Sequence, residues 1–107
     1  MKLKILVILL AVFLVLSVVC MYVHAKDNSY KAMIRAAPAW SVDVSKFNYM
    51  GIQSIKGGIV IHRWGSQEKS YMNYIDVSFS DEALVCYSAV ERETKKYTNI
   101  GCVTYPY

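Results

Sequence analysis

The chain has 107 residues, 55% of them hydrophobic, with 12 Lys plus Arg against 8 Asp plus Glu. That length allows one small domain. Setting aside Met1–Ala25, which holds two lysines and no acid, leaves 82 residues with 10 basic and 8 acidic side chains; so small and evenly spread an excess excludes a nucleic-acid-binding footprint, and the abundance of Tyr, Val and Ile excludes intrinsic disorder.

The first segment opens Met1-Lys2-Leu3-Lys4, runs from Ile5 to Val23 without a charge, and passes through His24 and Ala25 into Lys26-Asp27-Asn28-Ser29. A basic start, an apolar middle and a small residue at the exit are the layout of a secretory signal. Val23 and Ala25 offer small or short aliphatic side chains three residues and one residue before the cut, so cleavage is expected after Ala25, with residues 26–107 as a single extracytoplasmic domain, periplasmic or secreted. A second reading keeps 5–23 as an uncleaved anchor: 19 uncharged helical residues span about 28 Å, close to a bilayer core. Lys2 and Lys4 would then hold the N-terminus in the cytoplasm. A third reading, lipidation at Cys20, needs a small residue just before the cysteine, where Val19 stands. In every reading the rest of the chain works outside the cytoplasm.

Ser29 is a good N-cap, and Tyr30, Met33, Ile34 and Ala37 recur at the spacing of one helical face before Pro38 stops the run. The pattern predicts a short helix over Tyr30–Ala37. A connector, Ala39–Ser45, leads to an apolar and aromatic strand, Phe47–Ile55, and a tight hairpin at Lys56-Gly57-Gly58. Ile59–Trp64 reads as a second strand and residues 65–70 as a polar loop. In Tyr71–Ser80 the alternation places Asn73, Ile75, Val77 and Phe79 on one face and Tyr74, Asp76 and Ser78 on the other.

Residues 80–96 admit two readings. Ser80-Asp81-Glu82 could cap a helix ending at Lys95-Lys96; alternatively Asp81-Glu82 is a turn and Ala83–Val90 a strand. The strand is preferred, because Leu84-Val85-Cys86-Tyr87 is a compact apolar run and Glu91–Lys96 then makes a hairpin loop before a return strand, Tyr97–Tyr105. In that register Cys86 faces Cys102, Leu84 faces Thr104 and Ser88 faces Ile100, and Gly101 relieves crowding on the face away from the bridge. The fold class expected is α+β: a short N-terminal helix on a four- to five-stranded antiparallel β-meander whose C-terminal hairpin is stapled by one disulfide.

Removing the export segment removes Cys20 and leaves an even pair, Cys86 and Cys102, in a compartment where disulfides persist. Their spacing of 16 forms no redox motif, and one remaining histidine completes no zinc set. A structural bridge closing a loop of this size contributes about 3 kcal/mol. Cys86-Tyr87 followed by Gly101-Cys102 resembles the disulfide hairpins of small exported bacterial proteins, a likeness that names no activity.

His62 is the one histidine after residue 25, so histidine-based catalysis would run through it, with Asp76, Ser78 or Ser66 across the sheet. No nucleophile on a strained turn and no glycine-built oxyanion hole accompanies it. Asp81 and Glu82 are strand-end neighbours that mark a turn rather than a carboxylate pair. Glu91–Lys96 mixes both signs, as a solvated loop does, and Gly57-Gly58 is too short to cradle a phosphate. The compositional excess is aromatic, with 12 rings in 82 residues, more than so small a domain can bury. An exposed strip is expected around the 65–70 loop, with His62, Arg63, Trp64, Tyr71 and Tyr74 as the candidate interaction surface. These features point to a non-enzymatic envelope protein acting by protein–protein contact, of the inhibitor, immunity, exclusion or accessory-subunit type, with no cofactor, metal or nucleic acid. The alternatives are a membrane-anchored component of an envelope complex and a small hydrolase using His62.

Overall fold

Neither glycine nor proline interrupts the chain before Pro38, and a computed structural model, which describes residues 2–57 and 59–106 apart from the side chains of 54–56, forms one continuous helix there, α1 (Lys2–Ala36). The expected short helix is therefore the tail of a 35-residue one. Ser29, expected as its N-cap, lies within α1 instead: its Oγ donates to the Lys26 carbonyl at 3.0 Å and accepts the Trp64 indole N–H at 2.9 Å. Pro38 ends the helix as expected, in a 3-10 turn over Ala37–Ala39. A second such turn, Val44–Lys46, is capped by Asp43, whose carboxylate accepts from the Ser45 backbone and hydroxyl. Those two bonds hold the Asp43 carboxyl below its ordinary pKa.

Five antiparallel strands follow: β1 (Asn48–Lys56), β2 (Ile59–Gln67), β3 (Tyr71–Phe79), β4 (Ala83–Glu91) and β5 (Tyr97–Tyr105), in sheet order β1-β2-β3-β4-β5. This is the α+β meander expected, at the upper strand count. β2 runs three residues beyond Trp64, because Gly65, Ser66 and Gln67 pair with Tyr74, Asn73 and Met72; the polar loop shrinks to residues 68–70, where the Glu68 N–H donates to the Tyr71 carbonyl. Gly57, at φ +59°, turns the chain after β1; Gly58, the other half of the expected turn, lies outside the described residues. Residues 83–91 are strand, so the helical alternative for 80–96 is overturned. Cys86 pairs with Cys102 and Leu84 with Thr104 as expected, and the disulfide is formed. Ser88 instead opposes Asn99: an irregularity after Tyr87 takes up Ile100 as the extra residue of a bulge.

Strand pleating divides the sheet into two faces. One carries His62, Trp64, Ile75, Val77, Val85 and Val103 and is covered by α1 and by the connector that brings Trp40, Val42, Val44 and Phe47 over it. The helix contributes Ser29, Ala32, Met33 and Ala36. This stripe is shifted one position from the expected one, leaving Tyr30 and Ile34 exposed, because small residues let the helix approach the sheet with Met33 seated between them. Burying Met33, Ile75, Val77 and Val85 completely stabilises the fold by about 1.5–3 kcal/mol per side chain. Gly101 is explained by the same cover: a Cβ there would stand 3.1 Å from the Trp40 indole nitrogen.

Candidate interaction surface

Among the described residues, α1 and the apolar side chains of the connector all pack on the first face, and no such layer lies over the second. Register places Ile61 and Arg63 of β2, Met72, Tyr74, Asp76 and Ser78 of β3, Leu84 and Cys86 of β4, and Cys102 and Thr104 of β5 on this side. At its centre Arg63 Nε donates to Asp76 Oδ1 at 2.8 Å and its Nη2 to Oδ2 at 3.1 Å. The guanidinium also lies 4.5 Å from the centre of the Tyr74 ring, a cation–π contact. The hydrogen bonds to Asp76 are the chief reason that the Arg63 pKa is raised, so the group stays charged throughout the working pH range. Tyr74 in turn donates its hydroxyl to Met72 Sδ at 3.6 Å. A half-buried ion pair fixed in two places is a shaped polar element set among apolar side chains, Leu84 and the cystine among them.

Next to it, the Met50 side chain folds over the bare backbone of Gly65, and Lys46, Gln67, Met72 and Tyr74 join them around a shallow hollow of about 430 Å³. Ser88, opposite Tyr74 in the register, is fully buried and its Oγ has no partner among the described residues.

The sheet separates the five residues expected to act together. Arg63 and Tyr74 meet on the open face. Trp64, expected in an exposed strip, is only 4% exposed; it points at α1, its ring 5.4 Å from Tyr30 and 5.2 Å from Tyr49. Its indole N–H needs a buried acceptor and finds one in Ser29, a pairing that draws it inward. His62 is buried beside it, with Nδ1 3.0 Å from the Tyr49 hydroxyl oxygen. Burial pushes the imidazole pKa down and the Tyr49 phenol pKa up. With both groups neutral, the imidazole tautomer sets the direction of this bond: Tyr49 donates to Nδ1 when the ring proton is on Nε2, and accepts from Nδ1–H when it is on Nδ1. Tyr71 is exposed at the start of β3, opposite Glu91, away from the Arg63 cluster.

The partners imagined for His62 are not gathered either. Asp76 and Ser78 lie on the opposite face, and Ser66 shares its face but stands four strand residues away, about 13 Å. Among the described residues no cluster of three or more His, Cys, Asp or Glu could hold a metal ion. Asp81 and Glu82 sit exposed in the β3–β4 bend, where the Ser80 N–H donates to the Glu82 carbonyl. Glu91–Lys96 is a tight loop closed by Lys95 N–H on the Glu91 carbonyl, with Arg92 reaching Gln67. Sequence reasoning missed Asp76 as the partner of Arg63 and missed Met50 and Met72 beside it; a β2–β3 register counted from a two-residue turn at 69–70, where Glu68 faces Tyr71, would have found Asp76.

Comparison with protein-family models, with curated proteins and with solved structures finds no match to this chain.

Proposed function

We propose that this chain is a non-enzymatic envelope protein that acts by protein–protein contact, from an extracytoplasmic domain held at the membrane by α1. The observation that carries the reading is the asymmetry of the sheet: one face is closed by the chain itself, whereas the other presents a fixed Arg63–Asp76 pair, Tyr74, Met72 and Leu84. Arg and Tyr anchors set among apolar neighbours are the composition of protein-binding hot spots. The disulfide supports an oxidising, extracytoplasmic compartment. Tethering is supported by α1 itself: residues 5–23 are apolar, and the same helix continues without a break into the turns that pack on the sheet. Cleavage after Ala25, expected from the flank pattern, would have to open a helix only one turn before the buried Ser29.

The test is made on the full chain expressed in cells. Intact mass of the membrane fraction should show a species that retains Met1 and resists alkaline extraction; a soluble species starting at Lys26 would remove the tether. A photo-crosslinking residue at Leu84 should form discrete protein adducts, and the same residue at Ile34, exposed on α1, should not. Adducts equal at both positions would overturn the open face as the contact surface.

A further inference from the structure

We propose that the edge strand β1, around Tyr49, Met50 and Ile52, rests in the headgroup layer of the bilayer that α1 crosses. This rests on α1 remaining whole. Tyr22 is one residue inside the end of the uncharged run, and its ring lies 5.4 Å from that of Tyr49. Whatever touches Tyr22 shares its depth, so β1 is at the membrane surface once residues 5–23 span it. The rest of the sheet rises away from there. The helix meets β1 at Tyr22, β2 at Ser29 and Tyr30, and β5 at Arg35, whose guanidinium covers the Tyr105 ring and whose carbonyl accepts the Tyr105 hydroxyl. Thirteen helical residues advance about 20 Å, and four strand spacings make about 19 Å, so α1 crosses the strands from β1 to β5 and carries β5 to the far side from the lipid.

The chemistry of the β1 edge fits that depth. Met50 and Ile52 are 49% and 53% exposed. Tyr22 and Tyr49 pair a ring with a hydroxyl at the level where aromatic belts form. Lys26, the first charge after the apolar run, and Lys46, just before β1, are exposed to meet anionic headgroups. A protein strand is the poorer occupant of this edge: register breaks between Tyr49 and Gly51 and between Ile52 and Ser54, with Gly51 at φ +89°, interrupt the row of groups that an added strand would need.

The experiment uses the full chain carrying Cys20→Ser, with a single added cysteine at Ile52→Cys or, on the far edge, Ile100→Cys, each bearing an environment-sensitive fluorophore. The protein is reconstituted into phosphatidylcholine–phosphatidylglycerol vesicles that contain a lipid spin-labelled near the headgroup, and mass with alkylation checks that the Cys86–Cys102 bridge is intact. Quenching at 52 and none at 100 is the expected result, and Met50→Cys reads the same edge if Ile52→Cys does not fold. Protein that floats with the vesicles yet is unquenched at both edges, or quenched equally at both, overturns the seating of β1 and leaves the tether standing. Protein that does not float overturns both.

Discussion

The two faces of this sheet are made by the same strands, residue by residue in alternation, yet they are held by different means. On the covered face, side chains from α1, the connector and all five strands interlock, and Met33, Ile75, Val77 and Val85 lose all contact with water. On the open face no layer packs among the described residues, and the side-chain link that joins β4 to β5 there is covalent, the Cys86–Cys102 bridge. A small domain that leaves one side of its sheet free forgoes part of the apolar burial available to it. The bridge offsets that loss by restricting the unfolded chain, and it does so without covering Arg63, Tyr74 or Leu84. Keeping a face uncovered is thus compatible with stability because the covered side is packed closely and the open side is stapled.

If the covered face carries the fold by packing, Met33 is where it breaks. Met33→Ala empties a site enclosed by the helix and the sheet, and is expected to cost about 2–5 kcal/mol. Leu16→Ala, in the half of α1 that touches no strand, should leave the unfolding of the β domain within about 0.5 kcal/mol of the parent. Denaturant unfolding of the full chain in detergent, followed by tryptophan fluorescence, reports both, since Trp64 sits over Ser29. Equal losses for the two variants would mean that the packed and exposed halves of the helix do not differ in the way their burial states.

The open face is probed by taking out the staple. Cys86→Ser with Cys102→Ser removes a link between residues 16 apart and should lower stability by about 3 kcal/mol, with the far-ultraviolet spectrum of the folded state unchanged. A loss well under about 1 kcal/mol would show that the open face is held by packing after all, through Tyr74 and the side chains around it.

How far each face could be read from the sequence follows from the same contrast. The strands of the covered face declare themselves, because Asn73, Ile75, Val77 and Phe79 alternate with polar neighbours, and the two cysteines set the β4–β5 register as far as the bulge at Ile100. Periodicity places the helix stripe one residue too far along because it follows large apolar side chains, whereas the contact is made around Met33 by Ser29, Ala32 and Ala36, whose smallness is what matters. Trp64 read as exposed because Ile61-His62-Arg63-Trp64 gives no alternation of its own, and the acceptor that draws Trp64 inward lies 35 residues earlier. The Arg63–Asp76 pair depends on a cross-strand register set by residues 68–70, which a six-residue polar loop concealed. On β1, two register breaks change which side each residue faces, so no period-2 reading could have placed Met50 and Ile52.

The smallest effect expected is a pH dependence confined to the covered face. His62 is buried, and burial holds its pKa below the ordinary value of 6.5. The unfolded chain therefore takes up a proton on this residue before the folded protein does, so stability rises with pH wherever the unfolded state binds more protons. The contribution is fully present above about pH 6.5, falls as the pH drops through that value, and goes on falling until the lowered folded pKa is passed. Asp43, with its carboxyl held below 3.8, loses its own contribution only at much lower pH, so the window between about pH 5 and 6.5 isolates the histidine. Melting temperatures at pH 7.5 and pH 5 should thus differ for the parent and converge for His62→Gln, which cannot be protonated and keeps an amide able to bond the Tyr49 hydroxyl in either direction. If the variant kept the parent's slope, the titrating group would lie elsewhere, and the burial of His62 against Tyr49 would be contributing nothing to the acid sensitivity of this face.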